Sequence, residues 1–267
     1  MREEERIQLL GTVGKACRVL DLFTGEDPEW GVTDTALALQ VPRSSAHDLL
    51  DTLAQTGLLR RVAGNRYRLG LKLLTLCNAA LDSLAVRVQA RPVMECLAQK
   101  LKATVHLATL DGTEVVYLDK VTADGAPRIA LSGVGRRLPL HCTAVGKALL
   151  AHQSPGTIGQ ALDRLELEPV TDLTINSVDA LRFELAGARR HGVAHDREGS
   201  VLGVCCHAAP ITEAGRATAA ISLSVPAAIE PQLGKRYDEI VRAAAVKISH
   251  RLAAAPAEQP RRHRVAV

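Results

Sequence analysis

Between residues 13 and 23 the apolar positions Val13, Ala16, Cys17, Leu20 and Phe23 return at helical spacing and predict one amphipathic helix. Residues 25–31, with Asp27-Pro28 inside them, read as a loop, and a short helix is expected over 33–39. Pro42 suits the first turn of a third helix running to about residue 56, where Gly57 stops it. Residues 58–62 and 66–69 then read as two short strands around Ala63-Gly64-Asn65. Beyond them Leu73, Leu74, Cys77, Leu81 and Leu84 stripe a single helix expected over 71–90. Pro92 restarts the chain as another helix, to about residue 101.

The second half mixes the two periodicities. Residues 104–110 and 114–121 alternate as strands joined by Asp111-Gly112, a hairpin signal, and a third strand is expected over 128–132. Ser132-Gly133-Val134-Gly135 has no GK[ST] after it and reads as a turn, not a phosphate loop. Helices are expected over 143–151, 155–165 and 178–190, the last with Ser177 as N-cap and Gly192 beyond its basic end. Strands return over 193–196, 204–211 and 218–225, and a helix over 234–254 closes the fold. Three helices and a hairpin followed by β-β-β-α-α-α-β-β-β-α is an α+β organisation: a small N-terminal module, then an antiparallel sheet with helices packed on it. The expected division is 12–70, a linker helix over 71–90, a larger domain over 91–255, and a Pro-rich basic tail over 256–267 that is expected to be disordered, as residues 1–11 are expected to fray.

Composition narrows the function. The 267 residues are 47% apolar and 23% charged, which suits a globular protein, and no run approaches the length of a membrane span. The charged start, Met1-Arg2-Glu3-Glu4-Glu5-Arg6, lacks the apolar core of a signal peptide, so a cytoplasmic location is expected. The six cysteines form no CxxC pair and read as reduced thiols. Six aromatic residues are too few for a protein that stacks bases along a single strand. The net charge of +4 is weakly informative.

The N-terminal pattern fits a winged helix-turn-helix. Ala36 is a candidate for the small residue where two helices touch, with Leu39, Val41, Ala46 and Leu49 as the wedge between them. The start of the next helix, Pro42-Arg43-Ser44-Ser45-Ala46-His47, suits a major groove: Arg43 can reach a phosphate or a guanine, and Ser44, Ser45 and His47 can hydrogen-bond phosphates or base edges. Arg60, Arg61, Arg66 and Arg68 put four guanidiniums on one hairpin, as a wing against a duplex backbone requires. Asp48 and Asp51 on the same helix act against phosphate binding.

In the second half, Thr143-Ala144-Val145-Gly146 opens a helix whose first amides have no internal partner and favour an anion, and the small Ala144 and Gly146 let a carboxylate approach. Ser222 and Ser224 share one strand face, as do Cys206 and Ala208. With Asp196 these groups describe a pocket for a small hydroxy or oxo acid.

Residues 13–69 resemble the winged helix of the IclR family of bacterial regulators. The segments that carry the likeness are Val41-Pro42-Arg43-Ser44-Ser45-Ala46-His47, Leu49-Leu50-Asp51-Thr52-Leu53 and Arg66-Tyr67-Arg68-Leu69-Gly70. The second half is similar to the same family through Leu138-Pro139-Leu140-His141-Cys142-Thr143-Ala144-Val145-Gly146-Lys147-Ala148, then Asp196-Arg197-Glu198, Gly203, Cys206 and Ala208-Ala209-Pro210. Departures stand at Gln40, where the turn usually has Gly; at Thr35, usually apolar; at Asp48, usually basic; and at Gly199, usually an acid. The resemblance implies a DNA-binding transcriptional regulator, expected as a repressor, that is a homodimer or dimer of dimers on double-stranded operator DNA. It also implies an effector pocket for small organic or aromatic acids, with Ala144, Val145, Asp196, Cys206, Ser222 and Ser224 as the matched positions. No cofactor, metal or catalytic residue is expected. Two rivals remain: a cysteine-dependent enzyme built on Cys205-Cys206-His207, although adjacent strand residues point to opposite faces, and a metal-sensing regulator using His141, Cys142, Cys206 and His207.

Overall fold

The computed structural model describes residues 11–25, 27–127 and 129–255, and these divide between Ser83 and Leu84 into two units. The expectations for residues 1–10 and for the tail 256–267 lie outside the described residues.

In the first unit, α1 (Gly11–Asp21) tightens into a 3-10 turn at Leu22–Thr24. Trp30–Gly31, expected within a loop, forms a two-residue strand β1, because Trp30 pairs with Tyr67 of the hairpin. α2 (Val32–Leu39) and α3 (Arg43–Gln55) follow, with Pro42 as the N-cap of α3. The turn between them needs one left-handed residue, and Gln40 takes that conformation at φ 54°, ψ 46°. Glycine adopts this shape without Cβ strain and glutamine does not. β2 (Leu59–Val62) and β3 (Arg66–Leu69) complete a sheet of order β1-β3-β2. Val19, Phe23, Leu39, Leu49, Leu50, Leu53, Leu59 and Tyr67 form its core. Of the expected wedge, Leu39, Ala46 and Leu49 are buried, while Val41 and Ala36 are only half-buried. Thr35 is fully buried there, and its hydroxyl has no hydrogen-bond partner among the described residues.

The single helix expected over 71–90 is two helices. α4 (Lys72–Asp82) ends where the Ser83 hydroxyl donates back to the Ala80 carbonyl, 2.7 Å away, and Leu84 turns extended before α5 (Ala85–Leu101). Pro92 does not restart a helix but lies inside α5 on its exposed side. Burial of Ala90, Val93, Met94 and Ala98 offsets the roughly 3 kcal/mol that an interior proline costs.

In the second unit β4 (Thr104–Asp111) and β5 (Glu114–Thr122) form the expected hairpin. The strand expected over 128–132 is absent from described residues 129–132, where the chain makes a turn at 130–131; the third strand is β6 (Arg137–Pro139), after the left-handed Gly135. Next come α6 (Ala144–Ala151), α7 (Pro155–Arg164), α8 (Val178–His191), β7 (Ala194–Arg197), β8 (Val204–Glu213), β9 (Arg216–Pro226) and α9 (Glu230–Ala254). Thr143, Ser154 and Ser177 cap α6, α7 and α8, each hydroxyl accepting from the amide three residues on. The wholly antiparallel sheet runs β6-β5-β4-β9-β8-β7. α5 and α9 cover one face over Val105, Leu107, Ile221, Leu223 and Ile211, and α6, α7 and α8 cover the other over Ala108, Tyr117, Ala208 and Ala220. All eight residues of α6 are buried.

Close approach of α6 to the chain before it depends on Gly146, where a Cβ would stand 2.6 Å from Leu140 Cα and closer still to its carbonyl oxygen. Gly146→Ala should therefore destabilise this unit by about 3 kcal/mol or more, at the upper end of overpacking costs. Gly159→Ala, in open space on α7, should stabilise it by up to about 1 kcal/mol. Urea unfolding of the two variants checks both signs.

Candidate functional site

Two concave regions gather the residues singled out in the sequence, one in each unit. In the first, a groove of ≈ 570 Å³ runs between the start of α3 and the hairpin tip, lined by Gly31, Thr33, Asp34, Arg43, Ser44, His47, Asn65 and Arg66 among others. Arg43, Ser44, His47 and Arg66 therefore share one surface; Ser45 is half-buried and outside it. Asn65, which the sequence reading passed over as a turn residue, takes a left-handed φ of 59° and brings its side chain to the groove edge.

The four wing arginines are not equivalent. Register puts Arg60, Arg66 and Arg68 on one face of the hairpin and Arg61 on the other, over Tyr67 at 5.7 Å. Acids then claim most of the charge. Arg61 donates to Asp51, Arg66 to Asp34 (3.2 Å) and the Glu29 carbonyl (2.6 Å), and Arg68 to the Glu29 carboxylate (2.6 Å). The hairpin does carry the four expected guanidiniums, but three of them are paired: among the described residues, Arg60 is the hairpin arginine without an acidic partner. Asp48 lies 3.5 Å from the His47 imidazole and is exposed.

In the second unit, strand register builds a polar row. Thr104, Ser224, Cys206 and Asp196 lie opposite one another across β4, β9, β8 and β7, and His106, Ser222, Ala208 and Ala194 form the next row on the same face. The start of α6 closes over them, so Ala144, Val145, Asp196, Cys206, Ser222 and Ser224 all line one cavity. His106, Tyr117, Ser132, Thr143 and Ser200 join them. Thr143 heads the run expected to bind the anion, whereas His106, Tyr117, Ser132 and Ser200 are not among the expected residues; the alternation that exposed Ser222 and Ser224 also marks His106, but nothing local marks Ser132, which reaches in from a turn.

Its polar groups form a chain. Cys206 Sγ and Ser224 Oγ are 3.1 Å apart, Ser224 Oγ lies 3.4 Å from His106 Nδ1, and His106 Nε2 lies 2.7 Å from Ser132 Oγ. Lys120 holds the Ser132 turn by donating to the Ile129 and Ser132 carbonyls. Burial, with the Lys120 charge adding to it, drops the His106 imidazole to about 3, so it is neutral. Asp196 accepts from the Gly199 amide at 2.7 Å and from the Ser200 hydroxyl, and burial still raises its carboxyl. Gly199 is set by this contact, since a Cβ there would stand 3.0 Å from Asp196 Oδ1. The small size of Gly146 serves the Leu140 backbone and not the cavity, against the sequence reading. The Ala144 and Val145 amides and the Ser222 hydroxyl have no hydrogen-bond partner among the described residues.

Burial also pushes the Cys206 thiol far up, with Asp196 beside it, which leaves no thiolate for nucleophilic attack. His207 faces the other side of the sheet, where it meets Asp238. His141, Cys142, Cys206 and His207 are not brought together: His141 lies 3.0 Å from the Glu168 carbonyl, and Cys142 donates to that of Pro139.

Family comparison agrees in both units. The IclR helix-turn-helix domain matches residues 12–63, and the bacterial transcriptional regulator IclR C-terminal domain matches residues 78–250. The chain belongs to the IclR family. The HTH-type transcriptional regulator XynR of Escherichia coli is 35% identical over 218 residues, 81% of this chain and 86% of that protein. The HTH-type transcriptional regulator KdgR of Escherichia coli is 32% identical, over 84% and 86%. The crystal structure of an IclR homolog from Microbacterium hydrocarbonoxydans, complexed with 4-hydroxybenzoate, is 32% identical and superposes with a TM-score of 0.78 over 91% of this chain and 100% of that one. This IclR-family chain is accordingly a helix-turn-helix, DNA-binding transcriptional regulator, with α2 and α3 as the helix pair.

A histidine held neutral by burial gives up stability in acid. The His106 value in the fold, about 3, is below its ordinary 6.5, so its contribution is complete above pH 6.5 and is lost as pH falls toward 3. This loss approaches about 1.4 kcal/mol per pH unit within that window. His106→Gln should flatten the acid limb of stability between pH 6 and 4, measured by urea midpoints across pH. An unchanged slope would mean that His106 is not buried as neutral imidazole.

Proposed function

We propose that this regulator is a repressor acting in the bacterial cytoplasm, whose hold on double-stranded operator DNA is set by a small carboxylic acid bound in the cavity under α6. Residues 12–70 hold DNA, residues 71–90 couple the units, and residues 91–255 bind the effector and assemble a homodimer or a dimer of dimers. The observation that carries the effector reading is the pairing of two unpartnered amides, Ala144 and Val145 at the positive end of α6, with an unpartnered hydroxyl, Ser222, across one cavity. The carboxylate sits on the amides. The hydroxyl or oxo end sits among Ser222, Ser224, Cys206 and His106, with Asp196, its carboxyl raised by burial, beside them. A relative that carries 4-hydroxybenzoate, an acid with a hydroxyl at its far end, supports this class. Support for self-assembly comes from α4 and the residue before it, where Leu71, Leu74 and Leu76 are 74%, 63% and 50% exposed and no α4 residue is buried.

On DNA, Arg43, Ser44, Ser45 and His47 are the proposed contacts of the recognition helix and Arg60, Arg61, Arg66 and Arg68 those of the wing. The ion pairs divide them: Arg60 is available to a phosphate at once, whereas Arg61, Arg66 and Arg68 must share with Asp51, Asp34 and Glu29. Effector binding biases two arrangements of the DNA-binding units by its differential affinity for them, a coupling of about 1–3 kcal/mol in typical regulators.

Arg43→Ala should weaken binding to a duplex selected from a random pool by about 1–3 kcal/mol and relax sequence preference, while Arg60→Ala should weaken all sequences alike and lower the salt slope by about 1. Fluorescence anisotropy over a salt series separates the two; unchanged binding in both removes the contact assignment. For the effector, a matched acid at 100 times its Kd should add about 2.7 kcal/mol to stability, and Ser222→Ala should abolish that gain. Thermal melts with a panel of hydroxy, oxo and aromatic acids read this directly. A panel without any shift rejects the carboxylate class.

A further inference from the structure

The face of the sheet opposite the effector cavity carries a second cluster of chemistry. His195 of β7 and His207 of β8 are register partners, one row from the Asp196–Cys206 pair, and alternation sends them toward α9. There His195 Nε2 and His207 Nδ1 each lie 2.7 Å from the same oxygen, Asp238 Oδ1. The three candidate ligand atoms stand within 4.8 Å of one another. The rings meet edge to face at 5.1 Å. The His207 side chain is 1% exposed, and those of His195 and Asp238 are 21% and 25% exposed, so the cluster has a buried floor and one side open to solvent.

We infer that His195, His207 and Asp238 form a binding site for a divalent transition metal, zinc foremost. Two imidazole nitrogens and a carboxylate are a donor set that suits zinc, cobalt, nickel or copper and not magnesium or calcium. Ligand atoms around a tetrahedral zinc stand about 3.3 Å apart, from bonds of about 2.0–2.1 Å. The two 2.7 Å separations reach that spacing by a shift of several tenths of an ångström, within what side-chain torsions supply. The metal takes the two nitrogen positions that now face one oxygen: each imidazole stays neutral by changing tautomer, its proton passing through solvent to His195 Nδ1 and to His207 Nε2, and water from the open side fills the fourth position. The buried His207 Nε2 has no hydrogen-bond partner among the described residues, so the polar contact that orients this ring is on its Nδ1 side, with Tyr237 packed against it at 5.6 Å. Arg197, the nearby cation, is drawn toward Glu230 (3.6 Å).

The test uses the full chain without a purification tag, stripped of metal with a chelator, in a Cys17→Ser, Cys77→Ser, Cys96→Ser background that removes the exposed thiols. Cobalt(II) should bind one ion per chain with visible ligand-field absorption, zinc should displace it, and zinc should raise the melting temperature. His195→Ala and Asp238→Asn, both at the open side, should keep the far-ultraviolet circular dichroism and weaken cobalt binding by at least about tenfold. His195→Asp, which restores a donor, should recover part of it. Absence of cobalt binding at micromolar concentrations overturns the site, as does stoichiometric binding that survives both losses.

Discussion

A central strand covered on both faces has to send successive side chains into two different interiors. In β8 and β9 this constraint organises the whole second unit. Ile221, Leu223 and Val225 go to α5 and α9, while Ala220, Ser222 and Ser224 go to α6 and its neighbours. Register then aligns the second set with Cys206, Asp196, Thr104 and His106. A slip of one residue would exchange the two interiors and bury the serines among leucines. The same parity separates Cys206 from His207, which is why a thiol and an imidazole adjacent in sequence cannot act together, and why His207 instead meets His195 on the reverse face.

Electrostatics shape the DNA-facing surface of the first unit. Its core is small, and around it acidic residues from α2, α3 and the segment before β1 occupy the arginines of the hairpin. Exposed pairs of this kind contribute little to stability. Their larger effect is to lower the positive field facing a phosphate and to hold the guanidiniums in fixed positions. Such a surface trades general attraction for orientation.

Much of this was legible in the sequence, and the failures share a cause. Helical spacing foreshadowed each of the nine α-helices of the described chain, misplacing the boundary between α4 and α5, and alternation located Ser222, Ser224 and Cys206 on the face they occupy. The motif resemblance added Val145, which periodicity alone did not mark. What escaped depends on contacts distant in sequence. The unbroken passage through Pro92 reverses local propensity, because burial of Ala90, Val93 and Met94 outweighs it. β1 exists because Trp30 finds Tyr67. Ser132 enters the cavity because Lys120 clamps its turn, and the arginine pairs need Glu29 and Asp34 to lie across the hairpin. None of these partners is visible to a window moving along the chain.

The cavity's size carries the last step. Its free volume, ≈ 20 Å³, is about what one water molecule requires, far less than an aromatic acid fills. Its walls differ in what they can yield. The sheet and α6 are packed on every side, and Gly146 locks α6 against Leu140. The remaining walls are loops: Ile129 and Ser132, tied by Lys120, and Ser200 and Val201, tied by Asp196. An acid larger than a few atoms must push these loops outward and disturb hydrogen bonds that Lys120 and Asp196 now make. Binding is therefore coupled to loop position by geometry alone, and a ligand that distinguishes two loop positions has the differential affinity that regulation requires. A rigid cavity already large enough would bind its acid equally well in every arrangement of the protein, and would regulate nothing.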